Sequence, residues 1–269
     1  MHSDGTHTDR PASGLPARGS QDSLLAWGVP SRAFTPVINR TAVDIAVVIA
    51  ALVGFNLTAH YAPTPVAVAA VPVGALVLLF FARARGLHWS DLGLKNWGRG
   101  AKHGVTAAAV TLLVVAVAAS IPFTQSAFLN ERYGVNVGAT LFAALVIIPL
   151  QTVVPEELAF RGVLHANLAR RFGIRGVAVI GSLLFGLWHV ASSLGLTSGN
   201  AGFSSVLGTG VFGQVVGVCG AVAGTTVAGF VFTWLRHRGK SILAPIGLHW
   251  ALNGAGALAA LTVWQLTVH

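Results

Sequence analysis

The chain has 269 residues, 54% of them hydrophobic and only 9% charged, with a mean hydropathy of +0.72. Soluble domains carry about a quarter charged residues, so the composition excludes one and points to an all-α polytopic membrane protein. The single cysteine, Cys219, excludes a disulfide framework and a cysteine metal cluster, while the formal charge of +9 makes the placement of the basic residues worth following.

Residues 1–40 are rich in Ser, Gly, Pro, Thr and His and read as a mostly disordered tail, without the basic-then-apolar order of a cleaved secretory signal. A membrane crossing needs about 20 apolar residues. Seven stretches approach that length, near 42–60, 65–82, 104–123, 139–160, 176–196, 207–235 and 241–263. They divide into an N-terminal block of three helices over 41–138 and a core of four over 139–263.

The basic residues then test the count. The tail carries Arg10, Arg18, Arg32 and Arg40, and the 83–103 loop carries Arg83, Arg85, Lys95, Arg99 and Lys102. Arg161, Arg170, Arg171 and Arg175 follow the fourth stretch, and Arg236, Arg238 and Lys240 follow the sixth. Under the positive-inside rule these sixteen of the seventeen basic residues share the cytoplasmic side, with only Arg132 opposite. The expectation is a multi-pass protein of the cell membrane with a cytoplasmic N-terminus, its charge facing lipid and cytoplasm and not nucleic acid.

Two local patterns have structural readings. Gly213-xxx-Gly217 and Gly220-xxx-Gly224 put small residues on one face of the sixth stretch, the spacing of a close helix contact. The run Gly86–Leu94 mixes aromatic and polar residues in a basic loop, as an interfacial segment does.

Of the eight acidic residues, six lie in the tail, in hydrophilic loops or at a segment start. Glu156 and Glu157 instead end a long apolar run, where a charge costs about 3 kcal/mol on insertion scales and persists when it is paired or used. On a helix, Glu157 and Arg161 are four apart in the acid-first order and pair on one face. Glu156 is turned about 100° away, with no partner in its own helix. Pro155 removes a backbone donor and is expected to kink the helix where the acids begin. The fifth stretch supplies His189, and the seventh supplies His249 and Asn253, one turn apart on the same face. Outside the tail, His60, His88, His103, His165, His237 and His269 fall in predicted loops or at termini.

The spacing Glu-Glu-xxx-Arg, then Phe-xxx-His, then His-xxx-Asn, each on its own predicted span, resembles the CPBP family of CAAX proteases and bacteriocin-processing enzymes, also called Abi proteins. The likeness covers roughly residues 139–260, and the run Val154–Leu164 is similar to bacterial members nearly throughout. It implies an intramembrane endopeptidase acting on a membrane-associated protein or peptide, lipidated in the eukaryotic relatives. Glu156 would activate water, His189 would help to hold it, and His249 and Asn253 would stabilise the oxyanion. Glu157 and Arg161 would order the site.

Two cofactor readings stay open at this point. Glu156, His189 and His249 make a two-histidine, one-carboxylate set, a known combination for catalytic zinc. The alternative needs no cofactor, and Asn253 beside His249 favours it because the two make a natural pair of oxyanion donors. The histidines and Glu156 would meet about a third of the way in from the cytoplasm if the fifth helix starts near Gly181, in a cavity open to the cytoplasm. The competing functional readings are a non-catalytic immunity or scaffold protein of the same fold, and an ion-coupled transporter, disfavoured by the missing internal repeat.

Overall fold

The computed structural model describes residues 40–134 and 136–267, so all but the last residue of the expected tail lies outside the described residues. Among those residues the secondary structure is entirely helical, and six helices are long and apolar enough to cross a bilayer. They are α1 (Arg40–Tyr61), α2 (Thr64–Ala84), α3 (Trp97–Ser120), α4 (Val137–Trp188), α5 (Val211–Gly239) and α6 (Leu243–Thr267). The chain is an all-α polytopic membrane protein.

Six long helices stand where seven stretches were expected because the fourth and fifth are joined in one helical run of 52 residues. At ~1.5 Å per residue it would be about 78 Å long, more than twice the ~30 Å hydrocarbon core. It folds back on itself at Gly173, whose φ of 64° and ψ of −172° are not helical. Only glycine takes such angles without strain. Residues 137–172 and 174–188 therefore form two legs of a hairpin.

The expected kink at Pro155 is absent. Val153, Glu157 and Leu158 all keep right-handed helical angles. The helix instead widens on both sides of the acids, with π-helical turns over Ala143–Val153 and Leu158–Leu164. A proline lacks the donor that a regular turn requires, and wider i→i+5 pairing lets the neighbouring amides find other carbonyls. The fold-back falls where glycine permits it, and Pro155 is absorbed.

Packing is set by close backbone approaches. Gly104 of α3 and Gly247 of α6 meet backbone to backbone, with no room for a Cβ on either. Gly186 lies equally tight against Val222 and Thr226 of α5, and Gly229 of α5 lies against Ser182. The glycines of the expected close-contact motif behave differently. Gly213 and Gly217 are buried, against the 207–208 backbone and Thr197, but Gly220 and Gly224 have open space around them. Spacing alone cannot say which of the two pairs turns inward.

The Gly86–Leu94 turn also does more than lie at a surface. Leu87 and Leu92 are fully buried in the main core with Phe160, Phe185 and Phe232. Arg236 of α5 donates to the Asp91 carbonyl at 2.9 Å, and the Ile242 amide donates to the Gly93 carbonyl at 3.0 Å. Trp89, half out, carries Arg83 over its ring at 4.4 Å. These ties seal the basic end of the helical bundle.

Candidate active site

Residues 156 and 189 come level because of where α4 folds. Glu156 lies 17 residues before Gly173 and His189 lies 16 after it, so both sit about 25 Å from the bend at helical rise. The expectation that the second leg starts near Gly181 is thereby corrected. That leg starts at 174, and the first leg overshoots Glu156 by the same length. Phe160 packs edge-on against Phe185 at 5.2 Å and Trp188 at 5.4 Å, holding the legs in register.

The two adjacent acids have separate partners. Glu157, with no exposed surface, accepts from Arg161 at 3.2 Å, as the four-residue spacing leads one to expect. The same oxygen, Oε1, lies 2.9 Å from His249 Nδ1, which must donate because a carboxylate oxygen accepts. The Arg161 guanidinium lies over the rings of Phe185 at 3.9 Å and Phe232 at 4.7 Å, and Phe232 stacks on His249 at 5.0 Å. A buried charge needs such company, since an unpaired one would cost several kcal/mol.

Glu156 points the other way. Its Oε1 accepts from the Trp188 indole N–H at 3.1 Å, while Oε2 is buried without a hydrogen-bond partner, 4.0 Å from His249 Nε2. Trp188 was not among the residues singled out from the sequence. Its place follows from the hairpin register, and no spacing rule within one helix could reveal it. Its ring also separates two cavities, a small apolar one of about 330 Å³ beside α1 and a large one of about 1000 Å³ that Glu156 lines.

The large cavity gathers Glu156, His189 and Asn253 on its wall. His189 donates from Nδ1 to the Phe185 carbonyl at 2.8 Å, which fixes the ring and leaves Nε2 free of that bond. His249, Glu157 and Arg161 stand behind the wall and do not line it. His60, expected in a loop, is in the last turn of α1 and lines the cavity; His165, also expected in a loop, is inside α4.

The cavity lining lies on one side of Glu156. Its lining runs from Glu156 back to Ala139 on α4 and from Leu252 to Ala260 on α6, reaching His60, Phe128, Asn130 and Asn200. Those last four lie at the opposite end of the bundle from the basic turns. Arg161, Arg170, Arg171 and Arg175 are not part of it.

His249 and His189 commit Nδ1 to Glu157 and to the Phe185 carbonyl, which leaves both Nε2 atoms and Glu156 Oε2 as the atoms a metal would use. Among the described residues no three His, Cys, Asp or Glu side chains are grouped so as to hold a metal ion.

Residues 138–255 match the family described as type II CAAX prenyl endopeptidase, Rce1-like. The match covers less than half of the chain and supports a likeness to the CPBP family of CAAX-protease-like intramembrane endopeptidases. The matched stretch contains Glu156, Glu157, Arg161, His189, His249 and Asn253, and it leaves α1 to α3 outside. No curated protein and no solved structure matches the chain.

Proposed function

We propose that the CPBP-like stretch is a working intramembrane endopeptidase in which Glu156 activates the attacking water. One observation carries this reading: of two adjacent buried carboxylates, Glu157 is bound by Arg161 and His249 away from the cavity, and Glu156 lines the cavity with Oε2 unpartnered. Trp188 holds Oε1, so the base would act through Oε2. His189 Nε2 would accept from the same water. Asn253 would donate its amide to the developing oxyanion. His249 would join it from Nε2 when it carries both protons, with Glu157 as the counter-charge.

The proton taken by Glu156 would pass to the leaving amine as the peptide bond breaks, so the carboxylate ends the cycle as it began. A positioned base of this kind contributes roughly 10²–10⁴-fold, and a fixed oxyanion donor about 10²–10³-fold. No step requires a metal. Arg161 and Glu157 would orient His249 and do not touch substrate.

We also infer that the protein lies in the cell membrane with its basic end in the cytoplasm, from the distribution of arginine and lysine. The substrate would be a membrane-associated protein or peptide.

Cleavage of a quenched fluorescent peptide library, which includes prenylated carboxyl-terminal peptides, by purified wild type and Glu156→Gln, each with and without a chelator, tests the reading. Activity that survives chelation and is lost in the variant supports it. Activity lost on chelation and restored by zinc would transfer Glu156, His189 and His249 to ligand roles. A folded wild type that cleaves nothing would favour a scaffold of the same fold.

A further inference from the structure

Asn56 of α1 stands where an apolar residue is due. Ile45, Val48 and Leu52 mark the buried face of α1, packed in the main core with Phe160, Val163 and Leu164 of α4. Phe55 and Asn56 continue that face one turn on. A side-chain amide there, inside a membrane-spanning helix, is costly unless it finds a partner. Its partner lies in another helix. Asn56 Nδ2 donates to the Trp188 carbonyl at 3.0 Å, across 132 residues of chain. The amide oxygen could not make this bond, because a carbonyl only accepts.

Trp188 sits at a weak point of the second leg of α4. The regular stretch Ser182–Trp188 ends there, and His189 turns to φ −86° and ψ 0°, with its amide drawn back to the Gly186 carbonyl at 3.0 Å. Carbonyls at the end of a regular stretch lose intrahelical donors and take others. The His189 carbonyl is served locally, by the Ser193 amide at 3.0 Å and the Ser193 hydroxyl at 2.6 Å. The Trp188 carbonyl takes a donor from α1.

The same residue carries the contact to Glu156. Trp188 donates its indole N–H to Glu156 Oε1 at 3.1 Å, and its ring packs edge-on against Phe160 at 5.4 Å. An indole turns about two side-chain torsions only, so the aim of its N–H depends on where its backbone is held. Asn56 holds the backbone and Phe160 holds the ring, which leaves the N–H directed at Glu156. Asn56 and Trp188 also share the wall of the small cavity with Leu52, Leu57 and Leu187. In such apolar surroundings a hydrogen bond is stronger than in water.

We propose that Asn56 is a positioning residue of the active site, fixing the Trp188 backbone so that the indole N–H meets Glu156 Oε1. α1 lies outside residues 138–255, so a helix beyond the matched stretch completes the site. The inference rests on the endopeptidase reading for its effect on turnover, but the link from Asn56 to the indole can be measured without any activity.

The link is read by hydrogen exchange of the indole N–H groups, followed by nuclear magnetic resonance on the full chain in detergent micelles with isotope-labelled tryptophan. The Trp188 signal is the one that Trp188→Phe removes. Asn56→Leu keeps an apolar fit and deletes the donor, and it should speed exchange of the Trp188 indole at least about threefold. The Trp250 indole, which donates to the Ala144 carbonyl at 3.0 Å, should exchange as before. Leu57→Ala alters the same small cavity without touching the bond and should leave both indoles alone. Unchanged exchange at Trp188 in Asn56→Leu would overturn the proposal. So would an equal rise at Trp250, the mark of a loosened fold, or an equal rise at Trp188 in Leu57→Ala.

Turnover gives the second reading. In Asn56→Leu, kcat should fall about fivefold with KM unchanged. In the Trp188→Phe background the same substitution should cost less than about twofold, because the N–H it positions is already gone. An equal loss in both backgrounds, or a raised KM with kcat unchanged, would overturn the positioning role. If detergent-solubilised wild type cuts no peptide at all, the endopeptidase reading fails, and the exchange rates still decide whether Asn56 holds Trp188.

Discussion

Glu156 and Glu157 are neighbours in the chain and belong to two different parts of the protein. Glu157 sits in a closed layer with Arg161, His249, Phe185 and Phe232, away from the cavity wall. Glu156 sits on the wall of a large cavity with one oxygen held and one free. The difference teaches that adjacent acids can divide structure from chemistry by ~100° of helix rotation. Mutations in the closed layer should act on folding, and mutations on the wall should act on turnover.

The largest effect should come from the wall. Glu156→Gln keeps the shape and removes the base, so peptide turnover should fall by about 10²–10⁴-fold with thermal unfolding nearly unchanged. A variant that keeps near-wild-type turnover would erase the distinction between the acids. Arg161→Met probes the layer behind. It leaves Glu157 buried beside His249 without its cation, which should destabilise the fold by about 3–5 kcal/mol. Unfolding in detergent would report that loss, and an unaltered unfolding midpoint would show that Arg161 is not structural.

Asn253→Ala, on the exposed face of α6, should reduce kcat by about 10²-fold without changing stability. Trp188→Phe is a finer test, because it keeps an aromatic edge against Phe160 and deletes only the N–H that orients Glu156. A hydrogen bond to a charged group is worth about 1.5–3 kcal/mol, so kcat should drop about tenfold or more. An unchanged kcat with a lowered unfolding midpoint would make Trp188 a packing residue alone. Gly220→Ala and Gly224→Ala sit at the bottom of the scale. With open space at both positions, stability should move by less than about 0.5 kcal/mol, and a large loss would restore the close-contact role suggested by their spacing.

The sequence carried the apolar segments, because they are long and uninterrupted, and it carried the Glu157–Arg161 pair, because a four-residue spacing is local geometry. It also marked the three stretches whose polar residues converge. Features that depend on how segments meet were hidden. Gly173 is one of 32 glycines, and helical patterning continues on both sides of it. The wide turns near Pro149 and Pro155 leave no side-chain pattern. Trp188 looks like an ordinary membrane tryptophan until the hairpin brings it to Glu156. The lining of the cavity also draws on Phe128, Asn130 and Tyr133, whose spacing has no periodicity to read.

The bend at Gly173 makes the hairpin behave like a folded measuring tape. One residue added to a single leg moves everything beyond it by ~1.5 Å and ~100°, enough to swing Trp188 off Glu156. A second residue added to the other leg brings the two marks level again. Insertions and deletions in the stretch between the acids and His189 can therefore be tolerated only in matched pairs across the bend. What sequence drift must preserve there is a balance of lengths, and the intervening side chains are comparatively free to vary.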